Sequence, residues 1–430
     1  WELSSGQTAM ITSSVFAGEV LGCLILGYLG DKIGRRPVFI IAATIISVFG
    51  VATALAWNFP TLILVRALCG FGIGGLNVPF DILAEFLTKE NRGSYLMSVE
   101  YFWTFGSIFV PAVAYYSLDK LQSWKLFVIL CAIPCIVSLL GALLFVPESP
   151  RWLVSKGRNE EALMILRRVA ELNGKNSHEL FLENTVIYDT ENKDSSNFRD
   201  LFKPQWRKKI LLLWTVWFGM VFSYYGTILM ITRIFTDTND SSNQTGHATF
   251  NYEAITISAS SEIIGLTIAI LAVNRIGRIS PAVSSFLMGG TFAVVLAFSA
   301  SSKPIWFLTV IAFGARCVEM AGSSILWIST AEILPTELRS TGHGSSNAIG
   351  RIGGILAPFL IQSNISLLTV SVCMFAIHSV TALGMSLLPE TKNLEVGEIS
   401  LHGHETAEVC ANERTSVLQN KTVLTYSTLR

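Results

Sequence analysis

The sequence predicts an all-α polytopic membrane protein built from two pseudo-symmetric helix bundles. Composition, long apolar runs and an internal repeat carry that expectation. Of 430 residues, 51% are hydrophobic and 14% charged, and the mean hydropathy is +0.52, too apolar for a water-soluble domain to cover its surface. Gly27 to Pro37 read GYLGDKIGRRP, and a degenerate copy, NRIGR, returns at Asn274 to Arg278. Arg66 heads RALCGFGIGG, followed by Glu85 and Arg92; Arg316 heads a comparable run followed by Glu332 and Arg339, with the same Glu-to-Arg spacing. VPESPRW, from Val146 to Trp152, is echoed by LLPETKN, from Leu387 to Asn393. Landmarks repeated in one order indicate two tandem halves.

A helix needs roughly 20 apolar residues to cross the hydrocarbon core. That length places spans at 8–30, 38–57, 60–82, 93–117, 124–147, 209–236, 253–273, 281–301, 304–329, 342–363 and 366–388. The expected division is a first bundle at 1–147, a central loop at 148–208, a second bundle at 209–388 and a polar, disordered tail at 389–430. Within the central loop, Glu160 to Leu172 reads as a surface helix with Leu163, Leu166 and Val169 on one side.

Orientation follows from the 31 Lys and Arg residues. Twenty-four fall in the loops and tail of one side, four (Lys120, Lys125, Arg233, Lys303) on the other, and Arg66, Arg316 and Arg351 lie within spans. Positive charge is retained inside, so the central loop and tail are cytoplasmic. The loop 237–252 is then external, and its two sequons make Asn239 and Asn243 glycosylation candidates. An internal tail and eleven spans put Trp1 outside, so the chain reads as lacking the first of twelve helices.

Ionisable residues inside the membrane are functional candidates, because each is costly unless paired or wet. They are Glu19, Arg66, Glu100, Glu262, Arg316, Glu319 and Arg351. Arg316 and Glu319, three residues apart, are expected to neutralise one another, and Arg66 is expected in a structural pair. Arg351 lies among Gly350, Gly353 and Gly354, a context that admits a neighbouring helix or a substrate; it either orients a substrate or forms a packing salt bridge. Glu19 and Glu100 suit a cation or a coupled proton. Trp103, Tyr224 and Tyr225, near the middles of their spans, offer rings for an organic ion or are interfacial or lipid-facing aromatics.

Other chemistries find little support. Zero net charge argues against a nucleic-acid partner. No phosphate-binding loop is present, the six His lack metal or triad spacing, and the Cys pattern is neither a disulfide nor a metal framework. No enzyme activity, cofactor or metal is expected.

These motifs resemble the major facilitator superfamily, in its sugar and organic-ion transporter branch. The resemblance rests on GYLGDKIGRRP, PESPRW and the repeated Glu/Arg loops, and covers the second to the twelfth helix. LLLWTVWFGMVFSYYG, from Leu211 to Gly226, looks most like the synaptic-vesicle-2-related, organic-cation and nicotinate-type members. The resemblance implies a major facilitator fold working as a monomer in the bilayer. It also implies alternating access to a small organic ion, with or without a coupled proton or other ion. Asp31, Arg35 and Arg36 with Glu85 and Arg92 would form a cytoplasmic latch holding the outward-facing state. Arg278, Glu332 and Arg339 would form the second latch, and Glu148 and Arg151 would join the first. Glu262 and Arg351 belong to helices that face the cavity in this family. The rival reading is a non-transporting receptor or scaffold on the same fold. Either the plasma membrane or an intracellular vesicle would suit both.

Overall fold

A computed structural model of the chain describes residues 3–87, 92–181, 185–188, 198–236, 250–334, 336–392 and 423–425. Six helical segments make the first half. They are α1 (Ser5–Ile33), α2 (Arg35–Thr53), α3 (Phe59–Ile73), α4 (Asn77–Phe86), α5 (Arg92–Ala114) and α6 (Trp124–Phe145). The second half consists of α10 (Pro204–Thr236), α11 (Tyr252–Arg275), α12 (Ile279–Ser299), α13 (Ile305–Ile333), α14 (Thr336–Ile361) and α15 (Leu367–Ser386). Between them lie α7 (Pro150–Ser155), α8 (Asn159–Leu172) and the short α9 (Ser177–Leu180).

Local chemistry sets many boundaries. Ser4 accepts from the Gln7 amide while the Gln7 side chain returns to the Ser4 amide, a reciprocal cap that starts α1. Asn58, Ser123, Ser149 and Ser366 cap α3, α6, α7 and α15 in the simpler one-sided way. At Gly74–Leu76 the chain tightens to a 3-10 turn, so α3 and α4 form one span with a break at its glycines. α5 runs past Pro111 into a π turn at Tyr115–Lys120.

Among the described residues, ten helices are long and apolar enough to cross a bilayer. α14 takes the remaining one of the eleven expected places but is more polar. Its Ser345, Ser346 and Asn347 are buried against protein, which keeps these polar groups away from lipid. α6 shows the opposite case: Leu144 and Phe145 are 73% and 81% exposed, the mark of a lipid-facing surface.

Tight packing within the first half depends on α1 and α3. A Cβ at Gly18 would lie 1.9 Å from the Ala67 carbonyl oxygen, and one at Gly70 would lie 2.0 Å from that of Val15, so backbones touch in both directions. The two halves meet chiefly where α1 packs on α14 and α5 packs on α11. In the segment between the halves, Leu163 and Leu166 of α8 pack on Leu153, Val154 and Ile187, as helical spacing predicts. Two three-residue strands, β1 (Val186–Tyr188) and β2 (Val423–Thr425), pair in parallel. Of the tail expected to be disordered from 389 on, residues 389–392 are instead ordered by the contacts of Glu390 and Thr391, and apart from β2 the remainder lies outside the described residues.

Candidate functional site

The polar groups of the membrane interior collect where the halves touch. Glu19, midway along α1, meets Arg351 of α14 at 2.9 Å; Glu19 is buried and Arg351 mostly so. The contact falls short of hydrogen-bond alignment, for Glu19 Oε2 and Arg351 Nε are both buried without a hydrogen bond. Tyr225 of α10 touches the guanidinium and packs edge-on against Phe16 of α1 at 4.6 Å. Gly354 leaves room for Phe16: a Cβ there would come within 2.7 Å of the ring. The glycine-rich surroundings of Arg351 therefore admit a neighbour from the other half, as their composition suggests.

A second bridge begins at Trp103 of α5. Its Nε1 donates to the Tyr224 hydroxyl at 2.7 Å, and that hydroxyl donates to Glu262 Oε1 at 2.8 Å. The same carboxylate oxygen accepts from Arg316 Nη2 at 2.5 Å and Nε at 3.2 Å. One hydroxyl thus links an indole in the first half to a buried ion pair in the second. Glu100 of α5 makes a third bridge, accepting from the Ser324 hydroxyl of α13. Among the described residues no cation lies within ion-pair distance of Glu100.

Two expected pairings are corrected by these contacts. Arg316 does not pair with Glu319: its fork meets Glu262 of α11, while Glu319 is held by other helices. Glu319 meets His378 of α15 at 2.5 Å and accepts from Thr227 at 3.3 Å. Helical spacing puts two residues on one face but does not decide which neighbouring helix each long side chain reaches. Arg66 has no carboxylate partner among the described residues, and its Nε is buried without a hydrogen bond. Sequence reasoning missed His378, although an ionisable side chain in the middle of an apolar span was a sufficient signal.

At the helix ends beside α7 and after α15 the charge clusters are built twice. In the first half, Arg35 pairs with Asp31 at 2.7 Å, while Glu148 Oε1 accepts from the amides of Arg35, Arg36 and Ser149. Ser149 donates to Glu85, Trp152 donates to the Asp31 carbonyl, and Arg151 stands in the first turn of α7. Arg36 goes elsewhere than expected: its guanidinium donates to the Leu143 carbonyl at 3.0 Å. The second half repeats the plan, with Arg278 forked onto Glu332 at 2.9 and 2.8 Å and Thr391 donating to Glu332. Glu390 there accepts from the amides of Arg278, Ile279, Thr391 and Lys392. Burial works against the Glu390 charge, but these N–H groups outweigh it and hold its carboxyl below the usual carboxylate value. Gly34 and Gly277, at φ 115° and 110°, make the matching sharp turns into α2 and α12.

The contacts described in each cluster run between elements of the same half. Each cluster therefore joins helix ends of its own bundle. The side chains of Arg92 and Arg339, and the sequons at Asn239 and Asn243, lie outside the described residues.

Residues 2–401 match the family described as sugar (and other) transporter. The chain is 33% identical over 400 residues to organic cation/carnitine transporter 7 of Arabidopsis thaliana, covering 84% of this chain and 78% of that protein. It is 32% identical to the synaptic vesicle 2-related protein of Xenopus laevis, over 84% of this chain and 67% of the relative. Identity to solute carrier family 22 member 3 of Rattus norvegicus is also 32%, over 89% and 66%.

Among solved structures, the chain is similar to the E. coli xylose transporter XylE in a partially occluded inward-open form. The TM-score is 0.68 at 18% identity, covering 90% of this chain and 88% of that one. Another structure of XylE, a major facilitator superfamily protein, gives a TM-score of 0.64 at 21% identity, over 94% and 91%. At such identity the likeness speaks for the fold alone. Matched along nearly its whole length, this multi-pass membrane protein belongs to the sugar (and other) transporter family.

Proposed function

We propose that the chain is a secondary carrier of small organic ions that works by alternating access between its two helix halves. What supports this most is the placement of the mid-membrane ionisable groups. Glu19 with Arg351, Glu100 with Ser324, and Trp103 with Tyr224 all join opposite halves. Charges kept only to hold a bundle together would sit within one half. Charges between moving halves change partners as the halves rock, which is what a carrier needs of its binding groups.

Organic cations are the favoured class. Glu100 offers a carboxyl without a cationic partner among the described residues, next to the indole of Trp103, and the two suit a charged nitrogen on an organic body. The relatives named for organic cations agree. An organic anion would instead take Arg351 from Glu19, whose contact is already poorly aligned. The relatedness to a synaptic vesicle 2-related protein keeps a receptor or scaffold role as the second reading.

Uptake of labelled tetraethylammonium, carnitine and nicotinate into proteoliposomes holding the full chain tests the proposal. Cation uptake that falls at least tenfold with Glu100→Gln, at equal reconstituted protein, supports it. Nicotinate uptake abolished by Arg351→Gln reverses the substrate sign. No flux of any probe, with the protein correctly inserted, favours the receptor reading.

A further inference from the structure

Deep in the second half, away from the bridges between halves, Glu319 of α13 and His378 of α15 form a dyad that nothing above employs. Both are fully buried. His378 Nδ1 lies 2.7 Å from the Met374 carbonyl oxygen, which can only accept, so Nδ1 carries a hydrogen. Nε2 lies 2.5 Å from Glu319 Oε1. A ring nitrogen and a carboxyl oxygen approach that closely only with a proton between them. The dyad therefore holds two hydrogens and is neutral as a unit.

The surroundings are shaped to this pair. A Cβ at Gly289 of α12 would lie 2.9 Å from Glu319 Oε1 and 3.0 Å from His378 Nε2, so a side chain there would press directly on the dyad. Glu319 Oε2 is buried without a hydrogen bond. From the packed helices, α12 presents glycine and α10 presents Thr227, with Tyr224 one turn away. α11 presents Glu262, and α13 itself carries Arg316, one turn before Glu319.

We propose that the Glu319–His378 dyad is a proton-binding site, and that its occupancy controls the contact between the halves through Arg316. When the shared proton leaves to water, a neutral imidazole and a carboxylate remain, with net charge of minus one and two lone pairs opposed. Glu319 then turns to the cation one turn away on its own helix. Arg316 becomes shared between two carboxylates, its fork on Glu262 loosens, and the chain through Tyr224 to Trp103 weakens. Reprotonation returns Arg316 to Glu262 and restores the bridge. That this proton is the coupled ion rests on the carrier reading; the titration itself does not.

The full chain with 15N-labelled histidine, in lipid nanodiscs, provides the test by NMR from about pH 5 to about pH 9. His378 is assigned by His378→Gln and, independently, in a chain with the other five histidines replaced. In parallel, the fluorescence difference between the parent and Trp103→Phe isolates the Trp103 signal. The expected result is a single step in which His378 Nε2 loses its proton while the Trp103 signal shifts with the same midpoint. Glu319→Gln should remove the shared midpoint. An unchanging His378 in folded protein, or a titration that Trp103 ignores, overturns the proposal. Tetraethylammonium uptake in the same lipid checks the carrier reading separately, since its absence leaves the titration result standing.

Discussion

Glu148 and Glu390 do the same work in opposite halves: each carboxylate leaves the last helix of its bundle and caps the first turn of α2 or α12. The caps satisfy amides that begin a helix, and the negative charge meets the positive end of the helix dipole. In both halves the neighbouring hydroxyl, Ser149 or Thr391, then ties in Glu85 or Glu332.

The Glu390 cap is predicted to be acid-sensitive. Its folded-state carboxyl titrates below the ordinary value, so its contribution is complete above that ordinary value and is lost as pH falls through the lower folded one. Protection of the amides of Arg278, Ile279, Thr391 and Lys392, measured against their intrinsic exchange rates at each pH, should fall over that acidic window. At neutral pH, Glu390→Gln should accelerate the same amides by the loss of a cap worth about 0.5–2 kcal/mol. Unchanged exchange in the variant would show that the cap contributes nothing.

Removing the latch carboxylates should slow transport without unfolding the chain. Glu85→Ala and Glu332→Ala each release a cytoplasmic helix end while leaving the membrane core intact. The expected drop in uptake rate is roughly 5- to 30-fold, equivalent to about 1–2 kcal/mol. Normal rates at normal surface expression would remove these residues from the working cycle.

For Glu19 and Arg351, deletion of one partner strands the other charge in the membrane. Arg351→Gln or Glu19→Gln alone should lower thermal stability by about 3–5 kcal/mol. The double variant should recover most of that loss, yet recover no transport if the pair handles substrate. Recovery of both stability and uptake would make it a packing salt bridge only.

Much of this was legible in the sequence because membrane physics leaves few options. Apolar length located the spans: α6 begins at Trp124, where the sequence places it, and α10 ends at Thr236. Repeated motifs located the paired clusters, since the Glu85 and Glu332 neighbourhoods need the same turn, cap and hydroxyl. Partner choice was not legible. Arg316 reaches Glu262, fifty-four positions away, past Glu319 on its own helix, because the packing of α11 on α13 decides which carboxylate its fork meets. Glu390 was visible as an echo of PESPRW, but its four amide contacts depend on how the chain leaves α15.

Tyr224 is the link on which the bridge from Trp103 to Glu262 depends, because its hydroxyl both accepts and donates. Tyr224→Phe leaves the indole N–H without its acceptor and takes a donor from a buried carboxylate, a loss of about 1–3 kcal/mol for each stranded group. Trp103 is 48% exposed, so Trp103→Phe should cost less, removing only a donor whose partner keeps its bond to Glu262. In a double-mutant cycle read by thermal unfolding, adding Trp103→Phe to Tyr224→Phe should therefore cost less than it does in the parent. Strict additivity would mean that the two rings do not communicate across the halves.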